Sequence, residues 1–158
     1  MQQMELFEEV GKKKPEELDE IAAMKAEYKI EREIHRLTGL LRFSPGPDGV
    51  YIARCSPDHY ILPALSEHFT LHFGETPWVI IDEKRNLCLC RESGGPARIF
   101  TLPDTFTAEK KQKDSWEELW RLYHKSINNE ARNNPGLQRQ FMPERYRKYL
   151  PELQSDSL

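Results

Sequence analysis

The sequence predicts an α+β fold: an antiparallel sheet of about five strands with an N-terminal helix, a middle helix and a basic helical C-terminus. Short apolar runs separated by turn residues fill the middle of the chain. A long stretch with apolar residues at helical spacing precedes them, and an aromatic stretch with the same spacing follows them. The length of 158 residues is that of one domain.

The N-terminal helix is predicted over residues 15–38. Pro15 suits the first turn of a helix, and the acidic residues just after it favour the positive end of the helix dipole. Apolar residues then recur at an imperfect helical spacing, and Gly39 is a typical helix stop.

The middle of the chain alternates between strand and turn patterns. Pro57-Asp58 is typical of a helix start, and apolar residues continue at helical spacing to Phe73, which predicts the middle helix. The turn residues Ser-Pro-Gly-Pro-Asp-Gly join the first two strand candidates into a hairpin. The predicted strands are 40–43, 50–54, 78–82, 87–90 and 97–100.

The last third of the chain is predicted to be a polar linker and then helix. Residues 103–113 are the linker, and Ser115 with Glu118 has the spacing of a capping box. A helix follows to Ile127, and three prolines divide the remainder into short helical turns.

Charge is distributed unevenly along the chain. The overall net charge is −3, which argues against a general nucleic-acid binder. Residues 1–33 carry six Lys/Arg and ten Asp/Glu, whereas residues 121–150 carry seven Lys/Arg and two Asp/Glu. Any contact with nucleic acid is therefore expected from the basic end.

The cysteine count and the hydropathy predict a cytoplasmic protein without a membrane span. The chain has three Cys, an odd number that suits free thiols in a reducing compartment. It has neither a signal-peptide pattern at the N-terminus nor an apolar run of about 18 residues.

Recognisable catalytic motifs are absent from the sequence. It contains no P-loop, no dinucleotide-binding glycine motif and no nucleophile elbow. The cysteine spacing of a radical-SAM cluster and the zinc-deaminase pattern are absent as well. We predict no cofactor, and whether the chain is an enzyme is left open.

Two histidines and two cysteines raise the question of a zinc site. His68 and His72 lie four apart on a predicted helix, and Cys88 and Cys90 lie two apart on a predicted strand. The Cys-x-Cys spacing is not that of a zinc knuckle, and free cysteine packs in strands like a small apolar residue. We therefore predict no metal.

Polar residues at several turns are candidates for an acid–base site, provided that the fold brings them together. The alternative is a set of caps and surface ion pairs, which the residues alone favour. The candidates are His35, Arg36, Arg42, Asp58, His59, Asp82 and Arg85.

The basic end contains residue types that proteins use to bind nucleic acid. Arg and Lys contact phosphates, Tyr stacks on bases, and Asn and Gln hydrogen-bond to base edges or sugars. A capped helix packed on the sheet explains the same residues equally well. The candidates are Arg132, Asn133, Gln138, Arg139, Arg145, Tyr146, Arg147 and Lys148.

The chain contains an ordered set of short motifs over roughly residues 29–151. They are Glu33-Ile-His35-Arg36, Arg42-Phe43, Pro57-Asp58-His59, His68-Phe69, Trp78 with Asp82 and Arg85, Leu119-Trp120, Tyr123, Arg132-Asn133-Asn134-Pro135, Gln138 and Pro143-Glu144-Arg145-Tyr146. In this set the chain resembles an uncharacterised bacterial family of probable DNA-metabolism proteins.

The resemblance implies a setting in DNA repair or modification. Members of that family are encoded beside a radical-SAM protein similar to spore photoproduct lyase, and some are fused to uracil-DNA glycosylase. Members also usually carry a longer N-terminal region. We therefore expect an acidic helical lead-in over residues 1–28, which would be the remnant of that region. One family domain is expected over 29–151, with a tail over 152–158.

Three functional hypotheses follow for this chain. The first is an accessory DNA-binding module that acts with a radical-SAM partner. The second is an enzyme that acts on damaged DNA through the His/Asp/Arg site, and it requires those side chains to converge. The third is an adaptor whose basic end docks a repair enzyme.

Overall fold

The computed structural model describes residues 15–103 and 115–154, and these form an α+β fold as predicted. Single turns of 3-10 helix lie at Pro47–Gly49, Glu130–Arg132 and Pro151–Leu153. The helices and strands are, in chain order, α1 (Pro15–Leu40), β1 (Ser44–Pro45), β2 (Tyr51–Cys55), α2 (Leu62–Phe73), β3 (Trp78–Asp82), β4 (Leu87–Arg91), β5 (Arg98–Thr101), α3 (Ser115–Ile127), α4 (Pro135–Phe141) and α5 (Glu144–Arg147).

The five strands form one sheet in the order β1-β2-β3-β4-β5. Every neighbouring pair is antiparallel except β2 and β3, which run parallel with Tyr51 opposite Trp78 and Cys55 opposite Asp82. Helix α2 connects these two strands, and a parallel pair needs such a crossover. The sheet is therefore mixed but largely antiparallel.

The core lies between the sheet and the helices α1 and α2. Helix α2 begins at Leu62 and not at the predicted Pro57-Asp58, whose backbone groups are hydrogen-bonded to side chains of other elements. Leu62, Leu65 and Phe69 are buried at helical spacing along α2. They belong to one apolar cluster with Trp78 of β3 and Leu89 of β4. Hydrophobic spacing along the chain thus explains both the helix and the strands on which it packs.

The turn between β3 and β4 is stabilised by its own side chains. Asp82 accepts hydrogen bonds from the backbone N–H groups of Lys84 and Arg85 through Oδ1, at 3.0 and 3.3 Å. Asn86 closes the turn with a φ of 52°, a left-handed conformation that Asn tolerates better than most residues. This turn places Asp82 and Arg85 beside the end of β2.

Helix α1 continues to Leu40, two residues beyond its predicted end. The chain divides into two units, and the boundary between them lies between Arg32 and Glu33. In residues 15–32 the side chains are exposed apart from a half-buried Ile21, whereas Glu33 and Leu37 are buried. Because the helix extends this far, the first strand is the short Ser44–Pro45 rather than 40–43.

The start of the C-terminal region falls partly outside the described residues. Of the predicted linker over 103–113, only residue 103 is among the described residues. Of the predicted capping box, the side chain of Glu118 is described and that of Ser115 is not. From Ser115 onward the chain is helical, as predicted. Within the described ranges, no helix has the length and hydropathy that a membrane span requires.

Candidate functional site

Glu33 lies on α1 and binds the loop that follows β2. Its carboxylate is 2% exposed. Oε1 accepts a hydrogen bond from the backbone N–H of Asp58 at 2.7 Å, and Oε2 accepts one from the backbone N–H of His59 at 2.9 Å. The side chain thus holds two consecutive residues of the loop.

Two further side chains complete the surroundings of this carboxylate. Nδ1 of His59 lies 2.6 Å from Oε2, and the hydroxyl of Tyr146 donates to Oε1 at 2.5 Å. Burial by itself raises the pKa of Glu33, but the hydrogen bonds from Tyr146, from the backbone of Asp58 and from His59 outweigh it and lower the pKa to about 2. Glu33 is therefore ionised at neutral pH.

The ionised carboxylate determines the tautomer of His59. A carboxylate can only accept, so Nδ1 carries the proton that lies between the two groups. In the neutral form of the ring, Nε2 then holds the free electron pair, and it has no partner among the residues that the structure describes. The His59 side chain is 38% exposed, so an oriented imidazole faces a partly open surface.

Arg145 and Lys84 surround the same loop with positive charge. Nη1 of Arg145 lies 2.7 Å from Oδ2 of Asp58, and its Nη2 lies 3.6 Å from Oε1 of Glu33. Lys84 approaches the other oxygen of Asp58 at 3.5 Å. The negative charge of Asp58 in this loop is thus paired with two positive side chains.

Arg85 fixes the loop from the sheet side. It donates to the backbone carbonyl oxygens of Pro57 and Asp58 at 3.0 and 2.6 Å. It also donates to Oδ2 of the fully buried Asp82 at 3.0 Å. We call the side chains of Glu33, Asp58, His59, Asp82, Arg85, Arg145 and Tyr146 the Glu33 cluster.

The structure divides the seven residues predicted for a polar site. Four of them meet in the Glu33 cluster, namely Asp58, His59, Asp82 and Arg85. Arg36 instead donates to the backbone oxygen of Gln140, and Arg42 pairs with Glu152 at 2.8 Å. His35 is exposed and has no side-chain partner in the described part of the chain.

The cluster also contains Glu33, which is adjacent in sequence to the predicted candidates but was not one of the seven, and Arg145 and Tyr146, which were predicted to bind nucleic acid. One signal for Glu33 was available, because it lies four residues before Leu37 and therefore on the apolar face of α1. A charged residue on such a face needs a partner. Nothing in the sequence indicates that Tyr146, more than a hundred residues later, supplies it.

Four of the eight residues predicted to bind nucleic acid are paired with other side chains of the chain. Arg145 and Tyr146 belong to the Glu33 cluster, and the Tyr146 ring is 1% exposed, so it is not available to stack on a base. Arg147 donates to Oε1 of Gln138 at 3.0 Å, and Lys148 pairs with Glu83 at 3.4 Å.

The other four lie in an exposed stretch that contains a pocket of about 510 Å³. Its wall comes from the end of α3, the turn Glu130–Arg132 and helix α4. Arg139 does not line the pocket but is exposed on α4. We call this pocket the donor pocket. The lining residues are the polar His124, Asn128, Asn129, Arg132, Asn133, Asn134 and Gln138 and the apolar Ile127, Leu137 and Phe141.

The polar lining of the donor pocket offers mainly hydrogen-bond donors. The side-chain oxygens of Asn129 and Asn134 accept from the backbone N–H groups of Ala131 and Leu137, which leaves both amide nitrogens as donors. The side chain of Arg132 has no partner among the described residues, and no carboxylate lines the pocket. Such a lining favours a ligand rich in acceptors.

The histidine and cysteine pairs do not form a four-ligand set. His68 and His72 stack on the exposed side of α2, and Sγ of Cys90 lies 3.4 Å from Sγ of Cys88. Burial and the neighbouring Cys88 raise the pKa of Cys90 to about 12, which keeps its thiol protonated. Within the described ranges, no three His, Cys, Asp or Glu residues are placed to hold a metal ion.

The family model described as "Domain of unknown function (DUF4130)" matches residues 7–152. The chain belongs to the DUF4130 family. No curated protein and no solved structure matches the chain significantly. The Glu33 cluster and the donor pocket both lie inside the matched range, so both belong to the DUF4130 domain of this chain.

Proposed function

We propose that this DUF4130 protein is an accessory nucleic-acid-binding module that acts in bacterial DNA repair or modification. The observation that supports the proposal best is the donor pocket, which Arg132 and several amides line together with apolar side chains, and where these donors have no partner among the described residues. Phosphates, sugars and base edges are rich in acceptors, so this lining suits them.

The exposed cations beside the pocket supply the charge that such binding needs. Arg132 and Arg139 are exposed, and neither is paired with a carboxylate in the described part of the chain. Arg145 and Lys148 are already paired with Asp58 and Glu83. We therefore assign the phosphate contacts to the first pair.

Fluorescence anisotropy with a labelled oligonucleotide at several salt concentrations tests this assignment. We expect binding that weakens with salt, and a double substitution Arg132→Ala with Arg139→Ala should weaken it and reduce the salt dependence by about one unit of slope per lost phosphate contact. Arg98→Ala is the matched control, because Arg98 is an exposed arginine on β5 that pairs with no carboxylate in the described ranges. No binding at low salt would contradict the proposal.

The partner that we propose is a radical-SAM protein similar to spore photoproduct lyase, in the cytoplasm, where the free cysteines suit the reducing conditions. Helix α3 offers a surface for it, since Leu119, Leu122 and Ile127 are each more than half exposed. If the chain is an adaptor rather than a DNA binder, it should capture that protein in a pull-down without DNA. Failure to do so would exclude the adaptor.

A second candidate function is an enzyme that acts on damaged DNA through the Glu33 cluster. Glu33 orients His59 and leaves Nε2 free, which is the arrangement that catalytic carboxylate–histidine pairs use for proton transfer. Arg145 lies beside it and could stabilise a negative charge that develops in the reaction.

Oligonucleotides that carry an abasic site, a uracil or a pyrimidine dimer test the enzymatic function. Product formation should fall by about a hundredfold or more in His59→Gln, the range for loss of a general base. His35→Gln is the matched control, because His35 is exposed and outside the cluster. Equal rates in the two variants, or no product from any of these substrates, would count against this function.

A further inference from the structure

The size and shape of the donor pocket restrict what part of a nucleic acid can occupy it. A volume of about 510 Å³ lies within the range of small-molecule sites and is too small for a duplex. In a duplex the bases are stacked inside, and only the backbone and groove edges reach a protein. A base enters a pocket of this kind only after it leaves the stack.

The lining contains residue types that suit the two parts of a nucleotide. Phe141 is 57% exposed and Leu137 is 50% exposed, so they present an aromatic ring and an aliphatic side chain to a flat base. Arg132 also lines the pocket, and a guanidinium can hold a phosphate with two hydrogen bonds.

The side-chain amides of the lining suit the acceptors of a base or sugar. Asn128 and Asn133 have no side-chain partner among the described residues. Gln138 accepts from Arg147 through Oε1, which leaves its amide nitrogen as a donor. A carboxylate would repel a phosphate, but among the described residues none lines the pocket.

We propose that the donor pocket binds one unstacked nucleotide, with its base on Phe141 and its phosphate at Arg132, so that the protein prefers single-stranded over double-stranded DNA. This inference rests on the proposed nucleic-acid binding. It adds a preference between single-stranded and double-stranded DNA, which the exposed arginines alone do not determine.

The test compares a labelled 15-residue oligothymidylate with a 15-base-pair duplex in fluorescence anisotropy, using the full chain. We expect the single strand to bind at least tenfold more tightly. Phe141→Ala should weaken single-strand binding by about 5- to 150-fold, the effect of losing one base–aromatic stack, and leave duplex binding unchanged. Phe100→Ala is the matched control, because Phe100 is 51% exposed on β5, away from the pocket.

Asn133→Ala is a second variant, which changes a polar residue of the pocket lining without removing an apolar side chain. It should also weaken single-strand binding selectively. Equal affinity for the two DNA forms, or an equal loss in Phe141→Ala and Phe100→Ala, would overturn the inference while leaving DNA binding intact. Absence of binding to both DNA forms would instead overturn the proposed function, and the inference with it.

Discussion

At the scale of single residues, the most consequential side chain is the carboxylate of Glu33. It is buried and ionised, and it is hydrogen-bonded by two backbone N–H groups, an imidazole and a phenol. A buried charge is tolerated only when its oxygens are satisfied in this way. The same bonds that stabilise the charge also orient His59, so stability and any proton transfer depend on one group.

Tyr146→Phe should lower the free energy of unfolding by about 2 kcal/mol, because it removes one donor from a buried carboxylate. Tyr149→Phe is the matched control. It removes the same hydroxyl from Glu83, whose side chain is 35% exposed and can bind water instead, so we expect a loss of about 1 kcal/mol or less. Urea unfolding measures both, and an equal loss would contradict the special role of Glu33.

Acid should destabilise the protein through Glu33. Its pKa is about 2 in the folded chain against 4.5 ordinarily, so the folded state favours the ionised form. Its contribution of about 3 kcal/mol is therefore complete above pH 4.5 and is lost as the pH falls towards 2. The pKa values of Glu83 and Glu152 are also lowered, which adds to the same trend.

Urea unfolding at pH 6, 4 and 3 measures this acid dependence. Glu33→Gln should be less stable at pH 6 and should lose less stability on acidification, because glutamine does not titrate. Glu92→Gln changes an exposed carboxylate and should keep the wild-type acid dependence. If Glu33→Gln has the same acid dependence as the wild type, Glu33 is not the group responsible.

At the scale of elements, the loop between β2 and α2 is defined by what holds it from both sides. Glu33 of α1 binds its backbone N–H groups, and Arg85 of the β3–β4 turn binds its carbonyl oxygens. Arg85 is in turn held by the buried Asp82. A helix and a hairpin thus position His59, although neither contributes to the loop itself.

Arg85→Ala should destabilise the protein by about 3 kcal/mol or more, since it leaves Asp82 as a buried charge without its cation. Arg54→Ala is the matched control. Arg54 pairs with Glu83 at 3.4 Å on a surface where both side chains are about one third exposed, so the expected loss is below about 1 kcal/mol. Thermal or urea unfolding distinguishes the two variants. Similar losses of stability would contradict the structural role of the Arg85–Asp82 pair.

The predicted elements hold best where local chemistry and packing agree. Strands β3, β4 and β5 begin and end within one residue of their predicted limits, because β-rich runs there are bounded by turn residues. The β1 prediction misses because 40–43 is apolar enough for a strand, yet Leu40 continues α1 and Leu41 packs in the core. A short apolar run does not by itself distinguish these outcomes.

At the scale of the whole molecule, the end of the described chain is part of the core. Tyr146 and Leu150 are fully buried, and Arg121 of α3 donates to the backbone oxygen of Pro151 at 3.0 Å. The stretch after α4 therefore packs onto the body that begins at Glu33. Two of its basic residues, Arg145 and Lys148, form ion pairs with Asp58 and Glu83.

Leu150→Ala should cost about 2–5 kcal/mol, the range for a leucine removed from a packed core. Leu122→Ala is the matched control, because Leu122 on α3 is 65% exposed and should change stability by less than about 0.5 kcal/mol. The free energy of unfolding in urea compares them. A loss in Leu150→Ala as small as that in Leu122→Ala would show that this stretch is not integral to the fold.

The candidate site was predictable only in part. Asp58, His59, Asp82 and Arg85 stand at turns, where polar residues with special roles collect, and the structure brings them together. The contribution of Tyr146 and Arg145 depends on the return of the chain to α1, a contact between residues 113 apart. No local pattern encodes such a contact.

Local sequence was sufficient to predict the α+β class, most of the element limits and the asymmetry of charge, because propensity, hydrophobic period and turn chemistry act over a few residues. It did not predict the parallel pairing of β2 and β3, the polar cluster around Glu33, or the pairing of Arg145 with Asp58 while Arg132 has no carboxylate partner among the described residues. Those features depend on which distant parts of the chain meet, and burial and pairing energies favour them only when the whole chain comes together.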